Sequence, residues 1–105
     1  MFRTRKSWVI QRLEERGCTH LAAKLHQDRG IGRQFEPAGS LNGFQVHNPH
    51  RHVLSALITG GLKGAGVEQV RRTVDIAFRS AGLTIRQSER DILAHMLVKG
   101  ELRRR

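Results

Sequence analysis

Residues 67–97 read VEQVRRTVDIAFRSAGLTIRQSERDILAHML, and this stretch decides the fold that the sequence predicts. At about 100° per residue, the apolar side chains of its first half fall on one arc, which is typical of a helix with one buried face. Gly82 is expected to end this helix, because glycine readily adopts the left-handed backbone found just past a helix C-terminus. The side chains on the arc are Val67, Val70, Val74, Ala77, Phe78 and Ala81.

The second half of the stretch predicts another helix, which starts at a capping box formed by Thr84 and Gln87 and stops at Gly100. The short connection between the two helices predicts that they lie antiparallel or cross steeply. Glu89 interrupts the apolar stripe, and we expect it at the stripe's edge, paired with Arg86 or with an arginine of the neighbouring helix. A functional carboxylate is the alternative. The stripe consists of Ile85, Ile92, Leu93, Met96 and Leu97.

The remaining faces of the first helix differ in charge. Glu68 precedes Arg72 by four residues, and Asp75 precedes Arg79 by four, so two local ion pairs are predicted. A third face is uncharged and carries one bulky apolar side chain, which suits a contact with another protein. This candidate protein-contact face consists of Gln69, Thr73, Ile76 and Ser80.

One local resemblance concerns the sequence LTIRQSERDILAHMLVKG at residues 83–100. It resembles the opening helix of the LuxR-type DNA-binding domain. The resemblance covers under a fifth of the chain and no recognition helix follows it, so we infer no function from it.

Three further helices are predicted upstream. Ser7 is expected to cap a helix that ends near Gly17, and Thr19 is expected to cap the next one. Asn48 and Pro49 form a strong helix start, since asparagine favours the N-cap and proline the first helical position. Residues 60–66 are rich in glycine and are interpreted as a flexible connector.

The predicted fold is therefore a mainly α, single-domain helical bundle of about five helices. Breaks at glycine and proline predict a loop between the second and third helices, with a short β-hairpin at 33–46 as an open alternative. One basic helical domain is expected over residues 1–105, with flexible basic ends at 1–6 and 101–105.

Composition restricts the class of partner. The chain has 105 residues, 19 basic against 9 acidic, and a formal net charge of +10. Residues 1–33 have a net charge of +5 and residues 67–105 of +4, whereas residues 34–66 have only +1. Such a charge favours nucleic acid, either DNA or RNA, although acidic protein surfaces also attract basic proteins.

Two functions are weighed on these grounds. The first is a non-catalytic nucleic-acid-binding accessory or regulatory protein that contacts the phosphate backbone through its arginine-rich ends and first helix. The alternative is a protein-binding inhibitor or adaptor that docks on a nucleic-acid-handling complex. Small basic proteins of phages and plasmids, including some anti-CRISPR inhibitors, are similar to this chain in size and charge alone. The candidate nucleic-acid-binding residues are Arg3, Arg5, Lys6, Arg12, Arg16, Arg103, Arg104 and Arg105.

Trp8 lies among the basic residues of the first helix and has two interpretations. It either offers a ring for base stacking, or it packs in the core while arginine stems cover its edge. The second interpretation is favoured, since lone tryptophans in small domains are usually packed.

No catalytic motif, cofactor or metal site is expected. His47, His50 and His52 are close in sequence, but the last two point about 200° apart on a helix and cannot easily converge on zinc. The single cysteine, Cys18, is expected to be a packed thiol in a reducing, cytoplasmic setting. No signal peptide and no membrane-spanning run are expected.

Overall fold

A computed structural model describes residues 7–26 and 48–103 of the chain. Within these residues it has five helical segments and no β-strand, which confirms the small, mainly α helical bundle. The predicted hairpin at 33–46 lies outside the described residues. The helices are α1 (Trp8–Glu15), α2 (residues 19–26, where the first described range ends), α3 (Pro49–Thr59), α4 (Val67–Ser80) and α5 (Gln87–Lys99).

Two helix starts follow the local signals in the sequence. The Ser7 side chain accepts a hydrogen bond from the backbone N–H of Ile10, and the Asn48 side chain accepts one from Arg51. Both are N-cap interactions that satisfy an amide with no partner inside its own helix. The second helix differs by one residue from the prediction, because Thr19 is already helical and the first backbone bond is accepted by the carbonyl of Cys18.

The buried side chains form one core contributed by all five helices. The arc predicted for α4 is confirmed at its centre, where Val70, Val74 and Phe78 are buried, although Ala81 at its end is exposed. Every helix therefore depends on the others for burial of its apolar face. The core residues are Ile10, Leu13, Cys18, Leu21, Ala22, Leu25, Val53, Leu54, Leu57, Val70, Val74, Phe78, Leu93, Ala94, Met96, Leu97 and Leu102.

The connection between α4 and α5 differs from the predicted capping box. Gly82 has a φ of +75°, as expected of the residue that ends α4, but α5 starts only at Gln87 and has no side-chain cap. The four residues before it are not helical, and Leu83 and Ile85 are half-buried while Thr84 and Arg86 are exposed. This alternation suits an extended segment that directs every second side chain to the core.

The ion pairs predicted within α4 are also wrong. Glu68 pairs with Arg71, and Arg71 also lies 3.0 Å from the carboxylate of Asp91 on α5. Asp75 lies 2.8 Å from the guanidinium of Arg90, likewise on α5. These acids and arginines therefore join the two helices, and they leave Arg72 and Arg79 without the predicted partners.

Glu89 has a different role from the predicted ion pair. It is 4 % exposed in the middle of the buried face of α5, and its carboxylate accepts hydrogen bonds from the backbone N–H groups of His20 and Leu21, each at 3.0 Å. These amides lie in the first turn of α2, where helical amides lack an internal partner and the helix dipole favours negative charge. Glu89 thus caps α2 from a distant part of the sequence.

The connector between α3 and α4 and the segment after α5 pack against each other. The N–H of Gly64 donates to the carbonyl of Val98 at 2.9 Å, and the Lys63 side chain lies against Gly100. Leu102 is 3 % exposed and belongs to the core. Glu101 and Leu102 are therefore held in place, and the basic C-terminal end begins at Arg103 rather than at Glu101.

Candidate nucleic-acid interface

Most acidic side chains of the described residues form contacts within the protein. The described ranges contain seven acidic residues, and six of them are held by arginine side chains or, for Glu89, by backbone amides. Only four arginines serve these contacts, and each lies on α1, α4 or α5 or directly follows one of them. They are Arg12, Arg16, Arg71 and Arg90.

The positive charge that remains is therefore not neutralised by the described carboxylates. Eight basic side chains form no ion pair with any acid within residues 7–26 and 48–103. A surplus of this kind raises the potential over the surface and attracts anions. The eight are Lys24, Arg51, Lys63, Arg72, Arg79, Arg86, Lys99 and Arg103.

Arg16 pairs with the Glu101 carboxylate just past the C-terminal end of α5, and two further basic side chains lie near enough for their charges to act on it. Arg16 binds Glu101 through two parallel hydrogen bonds, Nε to Oε1 at 2.9 Å and Nη2 to Oε2 at 2.5 Å. The bonds from Arg16 hold the pKa of the Glu101 carboxyl below its ordinary value, and the nearby charges of Lys99 and Arg12 act in the same direction. We call Arg12, Arg16, Lys99 and Glu101 the Glu101 cluster, and its net charge is positive.

This cluster joins two regions that are far apart in the sequence. Arg16, predicted on the first helix, meets the segment that carries Arg103, predicted at the C-terminal end. Arg103 is exposed and its Nη2 donates to the carbonyl of Ile58 at 3.4 Å, which is a long hydrogen bond. The other candidates lie outside the described residues: Arg3, Arg5, Lys6, Arg104 and Arg105.

An arginine side chain lies against the ring of Trp8. Trp8 is half-buried, and the guanidinium carbon of Arg12 lies 5.4 Å from its ring centroid, within the range of a cation–π contact. Arg12 also reaches Glu15 at 3.3 Å. Trp8 is therefore not one of the buried core residues, and the guanidinium lies over the ring rather than an arginine stem along its edge.

The candidate protein-contact face of α4 lies on the surface. Ile76 is 61 % exposed, the largest exposure of any bulky apolar side chain in the described ranges. Gln69 and Ser80 are exposed beside it, whereas the Thr73 hydroxyl donates to the carbonyl of Gln69. Arg72 and Arg79 also border Ile76, which the sequence did not indicate because their spacing predicted ion pairs within the helix.

The histidines do not converge in the described part of the chain. The His50 ring packs against Phe78 with 6.5 Å between centroids, while His52 is exposed, and His47 is not described. Within the described ranges no three His, Cys, Asp or Glu side chains are grouped so that they could hold a metal ion.

Cys18 is fully buried, and its thiol lies 3.7 Å from the backbone carbonyl of Glu89. Burial, with a smaller contribution from the Glu89 charge, raises the pKa of the Cys18 thiol to about 12. Thiolates are the reactive form of cysteine, so a buried thiol that stays protonated is inert.

We therefore expect dithiobisnitrobenzoate to label native Cys18 at pH 8 no faster than the protein unfolds. The raised pKa of Cys18 also links stability to pH, because the folded state holds the thiol proton more tightly than the unfolded chain does. The stability that depends on the protonated thiol is complete below about pH 8.5, the pKa of an unfolded cysteine, and is lost as the pH rises towards 12. The urea-unfolded chain, which should react at once, is the control. Rapid stoichiometric labelling of the native protein would contradict the buried position.

Comparison with protein-family models, with curated proteins and with solved structures found no match. Within residues 7–26 and 48–103, the helices are too short or too polar to cross a membrane. The charge distribution and the geometry described above are therefore the basis for assigning a function.

Proposed function

We propose that the protein is a non-catalytic nucleic-acid-binding accessory or regulatory factor that contacts phosphate through the Glu101 cluster and the arginines that follow it. The observation that carries the proposal is the two-bond pairing of Arg16 with Glu101, which brings the end of the first helix to the basic C-terminal segment. The positive charges of Lys99 and Arg12 also act on this carboxylate. Six of the seven described acids have contacts within the fold, and Lys99 and Arg103 form no ion pair with a described acid, so this surface retains a positive charge for an external anion.

The chemistry of binding would be electrostatic. A guanidinium matches the two oxygens of a phosphate as it matches those of a carboxylate, so the paired geometry of Arg16 with Glu101 suits either group. Lys99 and Arg103 make no ion pair with the described acids and need not give one up to bind phosphate. Contacts of this kind fix position on the backbone and carry no sequence information, so DNA and RNA of any sequence would bind.

The candidate residues outside the described ranges are included in the proposed interface because of their positions in the sequence. Arg3, Arg5 and Lys6 precede α1, and Arg104 and Arg105 follow Arg103, so they extend both chain segments that meet at the Glu101 cluster. A cytoplasmic location is also proposed, supported by a single cysteine that is buried as a free thiol.

Two variants test the proposal, and each of them removes one negative charge at a different place. Glu101→Gln should tighten binding to a short DNA duplex about tenfold at low salt, because it frees Arg16 and raises the local charge. Glu68→Gln makes the same change in net charge on α4, where Glu68 pairs with Arg71, and should alter the affinity less than about twofold. Fluorescence anisotropy of labelled DNA measures both.

Equal effects of the two variants would mean that net charge alone governs binding, and would contradict a localised interface. Melting curves accompany the assay, since both carboxylates also take part in ion pairs of the fold.

A further inference from the structure

The exposed side of α4 combines an apolar side chain with unpaired positive charge. Ile76 is 61 % exposed, and Arg72 and Arg79 stand four residues before it and three residues after it, on the same side of the helix. Gln69 and Ser80 border Ile76 on its other side. We call these five residues the Ile76 face.

The two arginines of this face lack the neutralisation that the rest of α4 receives. Arg71 is held between Glu68 and Asp91, and Asp75 is held by Arg90. Neither Arg72 nor Arg79 forms an ion pair with any described acid. The helix therefore presents two positive charges about 10 Å apart along its axis, with an apolar group between them.

We propose that the Ile76 face docks an acidic amphipathic helix of a partner protein. The complementary element would place an apolar side chain over Ile76, with carboxylates about two turns apart to reach Arg72 and Arg79. The uncharged Gln69 and Ser80 would form part of the polar rim, as is common in protein interfaces. The proposal concerns a second surface and does not depend on nucleic-acid binding at the Glu101 cluster.

Two other occupants fit the face less well. A second copy of the chain would bring four arginines together, which costs energy at an interface. The carboxylates of α4, Glu68 and Asp75, could offset this cost only by giving up their ion pairs with Arg71 and Arg90. Nucleic acid would satisfy the arginines but would leave Ile76 against a charged backbone, with no apolar surface to bury it. An acidic helix satisfies both the charge and the apolar side chain.

The test uses the full chain and a designed helical peptide with a leucine flanked by glutamates two turns apart. Backbone amide chemical shifts in nuclear magnetic resonance titrations should change mainly within residues 69–80. A peptide with glutamine in place of glutamate, and one with serine in place of leucine, serve as controls. Each control peptide should bind about tenfold more weakly than the parent peptide.

Variants of the protein test the same surface from the other side. Ile76→Ser and the double change Arg72→Gln with Arg79→Gln should each weaken peptide binding about tenfold, and the double variant should remove most of its salt dependence. These side chains are exposed, so unchanged melting curves are expected to accompany both variants.

Three results would overturn the proposal. In the first, the parent peptide causes no shifts in α4, or it binds the variants as tightly as the natural chain. In the second, single-stranded DNA causes the same α4 shifts and displaces the peptide, which would assign the face to nucleic acid. In the third, the protein is a dimer that Ile76→Ser dissociates, which would assign the face to a second copy.

Discussion

Replacing Val74 with aspartate should leave the protein largely unfolded under conditions in which the natural chain is folded. Val74 has no solvent exposure and lies at the centre of the buried side of α4, between Val70 and Phe78. A carboxylate there would have no cation or amide to pair with and would cost several kcal/mol. The whole stability of a domain is about 5–15 kcal/mol, and small domains lie near the lower limit.

The matched control lies two residues further along the same helix. Ile76→Asp introduces the same charge into α4, but at a side chain that is 61 % exposed and close to Arg72 and Arg79. Its melting temperature should stay within about 3 °C of the natural value. Thermal unfolding followed by circular dichroism measures both variants, and a Val74→Asp protein that melts normally would contradict the core.

Replacing Glu89 with alanine should lower the free energy of unfolding by about 3 kcal/mol. The change removes both carboxylate oxygens from the backbone amides of His20 and Leu21, at a position that water does not reach. Hydrogen bonds to a charged group contribute about 1.5–3 kcal/mol each, and an amide left without a partner adds its own cost. Urea unfolding gives the free energy directly.

Two comparisons show whether the effect arises from the cap of α2. Glu89→Gln keeps one acceptor oxygen and should lose less stability than Glu89→Ala. Glu15→Ala removes an exposed carboxylate paired with Arg12 and should change stability by less than about 0.5 kcal/mol. Hydrogen exchange should show lost protection at residues 20–22 in Glu89→Ala, and unchanged protection there would contradict the proposed cap.

The features that could be predicted from the sequence are those that depend on a few neighbouring residues. Ser7 and Asn48 cap their helices through an amide three residues away, so the signal and the contact lie in the same short segment. The buried arc of α4 was predictable because helical periodicity places Val70, Val74 and Phe78 on one side.

The features that were mispredicted depend on contacts between helices. Spacing alone assigned Arg72 and Arg79 to acids within α4, but Asp75 is held by Arg90 of α5 instead. Glu89 has partners that lie 68 and 69 residues away in the sequence. One signal was present there, since a carboxylate in the centre of an apolar stripe needs a partner. The missing cap of α2 was hidden in the sequence, because Thr19 is itself a good N-cap residue.

The same limit applies to the candidate interface. The sequence predicted basic residues on the first helix and at the C-terminal end. It did not predict that the two regions meet through Arg16 and Glu101. That pair joins positions 85 residues apart, and local spacing carries no information on such a contact. Lys99 was not singled out, because its role depends on the position of Glu101 beside it.

The proposal that the protein binds phosphate backbone is tested most directly by the salt dependence of its affinity for a DNA duplex. If about five phosphate contacts form, the logarithm of the association constant should fall against the logarithm of salt concentration with a slope near −4 to −5. Deleting residues 103–105 should flatten that slope by up to about 3. Undetectable affinity for both DNA and RNA at low salt would contradict the account, as would unchanged affinity after removal of residues 103–105 and of the charges at Arg3, Arg5 and Lys6.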